Sequence, residues 1–146
     1  MDLWSGFEPQ VIDKEGVRCI YDVVRKKYLQ LTPEELVRQY FVHYLQKSTA
    51  VSLHYVKAEY PIRHLDRTRR ADLVAFNRAL QPILMVECKA FHKDITPKVL
   101  SQMVAYNQVL NMPLLALTNG KKHYFWQKNE GGSFAAIPQL PSFHSW

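Results

Sequence analysis

The sequence has little of what stabilises a disulfide-linked, zinc-binding or membrane-embedded protein. Its 146 residues include only two cysteines, Cys19 and Cys88, which lie far apart without a cysteine or histidine at metal-ligand spacing. No apolar run approaches the roughly 20 residues that cross a bilayer. The first ten residues also lack the basic and apolar regions of a signal peptide. We therefore expect a cytoplasmic protein without a membrane part.

Glycine is also scarce, with five residues in the chain, and no glycine-rich Gly-Lys-Ser/Thr segment is present. Motors driven by ATP use that segment to bind nucleotide phosphates, so we expect no nucleotide cofactor and no translocation activity. The Gly-x-Ser-x-Gly elbow of many acyl-transfer enzymes is absent too.

What the sequence does contain is enough apolar residues, 47%, to bury a core within a single domain. We expect one domain spanning 1–146. Its core should lie at about 30–127, after an N-terminal arm at 1–29 and before an irregular C-terminal tail at 128–146.

The net charge of +6 favours a polyanionic partner, of which nucleic acid is the commonest. The basic residues are clustered, and the two clusters comprise Arg63, Arg67, Arg69, Arg70, Lys121 and Lys122. They would give sequence-independent contacts to a nucleic acid backbone. Two other interpretations stay open: ordinary solvated loops, or a basic face that meets an acidic protein.

Hydrophobic periodicity predicts an α/β fold with the core order α-β-β-β-α-β. A helix at 31–46 has Thr32 as its cap, Pro33 in its first turn and Glu35 completing a capping box. Strands follow at 51–62 and, as a pair, within 69–90. A second helix at 95–111 precedes an apolar hairpin at 112–127. The simplest packing is a twisted mixed sheet with helices on its faces.

The pair of strands within 69–90 carries acids where an apolar sheet has no need of them. Strand side chains alternate between faces, so Glu87 and Lys89 share one face. If the connection Asn77 to Pro82 is symmetric, antiparallel pairing sets Asp72 directly opposite Glu87, with Cβ atoms about 5 Å apart. A register slip of one residue would separate them.

Two carboxylates this close repel each other, so one must take up a proton or a cation must lie between them. Magnesium suits the position, because it prefers oxygen ligands and keeps several waters. Lys89 could then orient a metal-bound water and offset charge on a phosphoryl oxygen. The alternative is that Asp72 pairs with an arginine, and Glu87 with Lys89, as ordinary ion pairs.

At these residues the sequence resembles the PD-(D/E)XK nuclease superfamily, with Asp72 as the first acid and Glu87-Cys88-Lys89 as the (D/E)XK element. More narrowly, it resembles the N-terminal nuclease domain of the R (HsdR) subunit of type I restriction enzymes, here as a stand-alone domain. The resemblance implies a restriction-endonuclease-like fold, with a mixed β-sheet flanked by helices. The segments that carry this resemblance, in order, are TPEELVRQYF, RRADLVAF, LMVECKA, QMVAYNQVL and LLALTNGKKHYFW. The proline of the superfamily name is absent, because Ala71 precedes the aspartate.

The resemblance implies further ligands for the metal. In such nucleases an acid on the first helix often assists, and Glu34 matches it, four residues before Arg38. On a helical wheel Glu34 also lies closer to the apolar face than Glu35, which has the capping role. Glu34 could equally be an exposed acid favoured by the helix dipole. The backbone carbonyl of Cys88 would be another ligand, which leaves the thiol buried and idle.

The resemblance also implies roles on the second helix. Gln102 and Tyr106 form the Gln-x-x-x-Tyr pattern of RecB-like nucleases, and their spacing puts both on one helical face. There they could orient Lys89 or contact the DNA backbone, although Tyr106 also fits the apolar stripe of that helix.

Together these features predict a DNA nuclease dependent on Mg²⁺ or Mn²⁺. The alternative is a catalytically silent DNA-binding or assembly module that keeps the fold. Because a motor segment is absent, we expect the domain to act alone, as a homo-oligomer or with a separate protein partner.

Overall fold

The computed structural model describes residues 6–146, which form two helices and two sheets. The elements in chain order are β1 (Val11–Lys14), β2 (Val17–Asp22), β3 (Lys27–Gln30), α1 (Pro33–Thr49), β4 (Val56–His64), β5 (Arg67–Phe76), β6 (Pro82–Cys88), α2 (Pro97–Leu110), β7 (Leu114–Thr118), β8 (His123–Lys128) and β9 (Phe134–Ile137). Short 3₁₀ turns occur at Leu53–Tyr55 and Phe143–Ser145.

The larger sheet has six strands in the order β4-β5-β6-β7-β8-β9. Strands β6 and β7 are parallel and are joined through α2, whereas the other neighbouring pairs are antiparallel. The order α1-β4-β5-β6-α2-β7 confirms the predicted restriction-endonuclease-like α/β core. No helix within residues 6–146 is long and apolar enough to cross a membrane.

The residues at the ends of both helices explain where the helices begin and end. The Thr32 hydroxyl accepts a hydrogen bond from the Glu35 N–H at 3.1 Å, and Pro33 occupies the first turn of α1. Ala50 ends α1 in the left-handed conformation, with φ 64°, and Asn111 ends α2 in the same way, with φ 54°.

The two faces of the large sheet bury separate apolar clusters, one under each helix. On one face Val37 and Phe41 of α1 pack against Val86. On the other, Met103 of α2 packs against Met85. Neighbouring residues of β6 therefore point to opposite sides, as the period-two pattern predicts.

The small sheet, β1-β2-β3, is joined to α1 through buried charge. The Asp22 side chain is fully buried and accepts hydrogen bonds from the Val24 N–H and from the Arg25 side chain. Arg25 also pairs with Glu35 on α1. These bonds hold the pKa of Asp22 below its usual value although burial alone would raise it. The predicted arm at 1–29 includes residues 1–5, which lie outside the described residues.

Two sequence-based boundaries are corrected by the structure. The strand predicted at 51–62 begins only at Val56, because Leu53–Tyr55 forms a 3₁₀ turn capped by the Ser52 hydroxyl. The tail predicted to be irregular from 128 contains β9, which pairs with β8. The turn between β8 and β9 is closed by a hydrogen bond from the Asn129 N–H to the Ser133 carbonyl, which brings the two strands side by side.

Candidate functional site

The β5–β6 pair has the register that sets the two acids opposite each other. Leu73 pairs with Val86 and Val74 with Met85, so one step further Asp72 faces Glu87. Next to the turn Phe76 pairs with Pro82, one residue off the predicted pairing, and a shift between Ala75 and Phe76 brings the residues beyond it into the predicted register. The predicted register is therefore confirmed.

The Glu87 carboxyl group holds a proton at neutral pH. Burial raises its pKa to about 8, and the carboxylate of Asp72 contributes by repulsion and through a hydrogen bond between the two groups. Arg69 and Lys89 act in the opposite direction but do not offset this effect. A proton on Glu87 is one of the two solutions expected for opposed carboxylates, and a cation between them is the other.

Asp72 is fixed by hydrogen bonds to both of its carboxylate oxygens. Oδ2 accepts from the backbone N–H of Cys88 at 2.7 Å, and Oδ1 accepts from the Arg38 guanidinium at 3.0 Å. Its side chain nonetheless keeps 16% of its surface exposed. The carboxylate is thus held at the end of the β5–β6 ladder, within reach of solvent.

Arg38 belongs to the candidate site, although the sequence analysis did not single it out. It is buried on α1, and its guanidinium contacts the carboxylates of Glu35, Glu59 and Asp72. Burial lowers its pKa, but the three acids outweigh burial and leave the pKa above its usual value. Arg38 therefore neutralises part of an acidic cluster that gathers around the β4–β5–β6 edge.

Glu59 is the third acid in line with Asp72 and Glu87. Ala58 pairs with Leu73 and Tyr60 pairs with Ala71, which sets Glu59 opposite Asp72 across β4 and β5. Its φ of 54° is left-handed, a conformation that costs a residue with a side chain about 1–3 kcal/mol. Such strain recurs at functional sites, and here it coincides with the turning of Glu59 toward Arg38.

The helix acids have the reverse of the predicted orientation. Glu34 is exposed, whereas Glu35 is buried and pairs with Arg25 and Arg38. The helical-wheel argument was wrong because it gave the Glu35 side chain to the capping box. The Thr32 hydroxyl caps the helix, and the Glu35 carboxylate pairs with the two arginines instead. The metal-binding role of Glu34 stays a prediction.

The remaining residues of the (D/E)XK element lie as their sequence order requires. Lys89 is half-buried, and its backbone N–H donates to the Thr118 carbonyl on β7 at 2.8 Å. Its charge lowers the pKa of Glu87, which lies two positions earlier along the chain. The Cys88 thiol is buried, and burial raises its pKa well above the usual value, which makes it a poor nucleophile.

On α2, Tyr106 contacts the site through Arg69. The Arg69 guanidinium lies 4.7 Å from the centre of the Tyr106 ring, a cation–π contact. Both residues line a small cavity together with Glu87 and Met103. Gln102, one turn earlier, is half-buried, and its role stays a prediction.

The basic residues predicted to bind nucleic acid lie at the same end of the large sheet as the acids. The arginines belong to the β4–β5 hairpin, where Arg63 pairs with Thr68 and His64 with Arg67. The lysines follow β7, whose end aligns with the end of β6 because the two strands are parallel. All of these residues except Arg69 are exposed. The acid pair therefore lies between two sources of positive charge.

The donor set suits a divalent cation of the magnesium type. Mg²⁺ commonly takes one or two protein carboxylates and keeps several waters, and Asp72 with Glu87 supplies such a pair. Within residues 6–146, no three His, Cys, Asp or Glu side chains are already arranged to hold a metal ion. A cation would compete with the proton of Glu87 and with Arg38 for the oxygens of Asp72.

A comparison with protein families finds a match over most of the chain. A family described as "Type I restriction enzyme R protein N terminus (HSDR_N)" matches residues 33–141, which contain all elements from α1 to β9. A comparison with curated proteins finds no match, and a comparison with solved structures finds none either.

Proposed function

This chain belongs to the family of type I restriction enzyme R protein N-terminal domains, and we propose that it hydrolyses DNA phosphodiester bonds with the help of Mg²⁺ or Mn²⁺. The observation that carries the proposal is the opposition of Asp72 and Glu87, with Lys89 beside them. Such an arrangement disfavours the metal-free charged state, because Glu87 stays protonated at neutral pH. A divalent cation would relieve the same repulsion.

The proposed ligands are the carboxylates of Asp72 and Glu87 and the backbone carbonyl of Cys88. When bound, the metal would polarise the scissile phosphate and lower the pKa of a coordinated water. Of the neighbouring acids, Glu35 and Glu59 support the ligands better than Glu34, because both share Arg38 with Asp72 whereas Glu34 is exposed. Release of Asp72 from Arg38 would leave that arginine paired with the two other acids.

The side chains around the pair would act on the phosphate. Lys89 would stabilise charge that develops on a phosphoryl oxygen, since this half-buried residue follows Glu87 by two positions and its charge acts on that carboxyl. Gln102 would help to orient Lys89 from α2. Arg69, supported by the Tyr106 ring, would hold the phosphate, because a guanidinium binds two of its oxygens at once.

The exposed cations would hold the DNA backbone without reading its sequence. Arg63, Arg67 and Arg70 on the hairpin would contact one side of the acid pair, and Lys121 with Lys122 the other. Affinity should therefore fall steeply with salt concentration. In this proposal the domain acts alone, as a homo-oligomer or with a partner protein.

The decisive experiment changes Lys89 to Ala and measures nicking of supercoiled plasmid with Mg²⁺, with Mn²⁺ and with EDTA. Loss of one stabilising charge in the transition state reduces such rates by about 10²–10³-fold, so nicking should nearly vanish. DNA binding and the unfolding midpoint should stay close to those of the parent protein. The matched control is Lys14→Ala, an exposed lysine of the small sheet. Undiminished nicking by the Lys89 variant would refute the mechanism.

A second candidate, a silent DNA-binding or assembly module, is favoured by one observation. The Oδ1 and Oδ2 atoms of Asp72 are both engaged, by Arg38 and by the Cys88 N–H. A module of this kind would bind duplex DNA with the same salt dependence but would not cleave it with either metal. The plasmid assay separates the two functions directly.

A further inference from the structure

A groove outside the acid pair runs between the segment 91–97 and strand β8. It consists of two adjoining cavities of about 300 and 280 Å³, and both are lined by Ile95 and Tyr124. We refer to it as the β8 groove. One end is polar and basic, and the other is apolar and aromatic. A nucleic acid strand, in which charged phosphates alternate with flat bases, would match a groove with these two ends.

The basic end is held in place by one buried side chain. The Asn119 carbonyl oxygen accepts from the Lys121 N–H at 2.9 Å and from the Lys122 N–H at 2.8 Å, and its amide donates to the Lys93 carbonyl at 2.9 Å. The three lysines line the first cavity together with Asp94. Their combined charge exceeds that of the single acid, so this end attracts an anion such as a phosphate.

The apolar end presents an aromatic shelf that α2 leaves open. The rings of Tyr124 and Trp126 lie 6.1 Å apart and nearly parallel, at 22°. Tyr124 keeps 43% of its surface exposed, and Phe91 at the other end keeps 38%. Exposed flat rings beside lysines are the combination that proteins use to bind single-stranded nucleic acid, because every base has a face that stacks.

The shelf lies on the same sheet face as the candidate catalytic acid. Glu87 pairs with Leu117 on β7, and Leu117 pairs with Tyr124 on β8. Neighbouring strands are about 4.8 Å apart, so Tyr124 lies roughly 10 Å from Glu87. A strand that places a phosphate at Glu87 could therefore lay a nearby base on Tyr124.

We propose that the β8 groove binds an unpaired nucleotide of DNA, with its base on the Tyr124–Trp126 shelf and its phosphate at the three lysines. A base inside a duplex is paired and stacked on both faces, so only an unpaired one is free to lie on the shelf. The substrate class is then DNA with a single-stranded segment, such as an overhang, flap or gap. The placement of this segment beside a scissile bond rests on the proposed nuclease function.

The test measures binding in EDTA, so that it does not depend on cleavage. Fluorescently labelled hairpin DNA with a blunt end is compared with the same hairpin carrying an oligothymidylate tail. The parent protein should bind the tailed form at least about tenfold more tightly, and Tyr124→Ala should lose about 5- to 100-fold in affinity for that form alone. The matched control is Tyr28→Ala, a tyrosine with 39% exposure on the small sheet.

Two further measurements keep the test independent of any folding defect in that variant. Tyr124→Phe retains the ring and should keep the preference for the tail. In the parent protein the tail, and not the blunt hairpin, should quench tryptophan fluorescence, and Trp126→Phe should remove most of that quenching. Lys121→Ala combined with Lys122→Ala should weaken binding of both DNA forms and flatten the salt dependence.

Equal affinity for tailed and blunt hairpins, or full tail preference in Tyr124→Ala, would overturn the proposal. Tighter binding of the same tail made of RNA would overturn the assignment to DNA. The two proposals fail separately. If the protein binds tailed DNA more tightly but never cleaves DNA, only the nuclease function is contradicted. If it cleaves DNA but binds blunt and tailed hairpins with equal affinity, only the proposal for the β8 groove is contradicted.

Discussion

Changing Glu87 to Gln should stabilise the metal-free protein at neutral and alkaline pH. In the parent protein the pKa of this carboxyl rises from its usual 4.5 to about 8 on folding, first because of burial and then because of Asp72. A raised pKa means that the folded state binds the proton more tightly than the unfolded state does. The contribution of this proton to the free energy of unfolding is therefore fully present below about pH 4.5 and is lost as the pH rises toward about 8. Glutamine keeps the shape and the hydrogen bond but has nothing to ionise.

The size of the effect follows from the pKa and the surroundings. Each unit of pKa difference corresponds to about 1.4 kcal/mol, so the rise to a pKa near 8 can change the free energy of unfolding by at most roughly 5 kcal/mol. Glu87 is only 8% exposed, so solvent screens it little, but its neighbour Asp72 keeps a partly exposed side chain. We expect the variant to be more stable than the parent by ~2–3 kcal/mol near pH 8 and by almost nothing near pH 4.5.

The assay is urea unfolding in EDTA across this pH range, followed by circular dichroism. The control is Glu130→Gln, which removes an exposed carboxyl group and should leave the pH dependence of the parent unchanged. Parallel pH profiles for the parent and the Glu87 variant would refute the argument that this carboxyl is neutral. A Glu87 variant less stable than the parent near pH 8 would refute it as well.

Two other predictions concern the same cluster. Binding of Mg²⁺ near pH 7 should release close to one proton, because Glu87 is protonated before the metal binds. Calorimetry in buffers of different ionisation enthalpy measures the released proton, and a binding enthalpy that does not depend on the buffer would contradict the prediction. Arg38→Met should lower the free energy of unfolding by about 3 kcal/mol at pH 7, since it leaves three acids without their shared guanidinium. Urea unfolding checks this against Arg63→Met, an exposed arginine that should change stability little.

The register of the acid pair could be predicted because it depends only on local rules. Side-chain alternation and a short connection between two strands limit Asp72 to facing Glu87 or its neighbour, and the one-residue shift between Ala75 and Phe76 selects Glu87. The α-β-β-β-α-β order likewise follows from periodicity and helix capping, which act within a few residues of each other.

The rest of the site depends on contacts between distant segments. Nothing in the alternating pattern of β4 reveals that Glu59 has a left-handed backbone, because that conformation occurs where the pairing with β5 passes over Glu59, between the Ala58 and Tyr60 pairs. The choice between Glu34 and Glu35 was decided by Arg25 and Arg38, which approach from β2–β3 and from one turn further along α1. Strand β9 was missed because its short segment follows a glycine-rich turn and gains its order from β8.

The ion pairs that run from Asp22 through Arg25 and Glu35 to Arg38 have a practical consequence. A version of the protein shortened to residues 33–141 would lose Asp22 and Arg25. Of the two arginines that pair with Glu35, only Arg38 would then remain. Arg38 would then be drawn toward Glu35 and away from Asp72. Removing the small sheet would therefore change the contacts of the Asp72 carboxylate, so this sheet contributes to the geometry of the acid cluster.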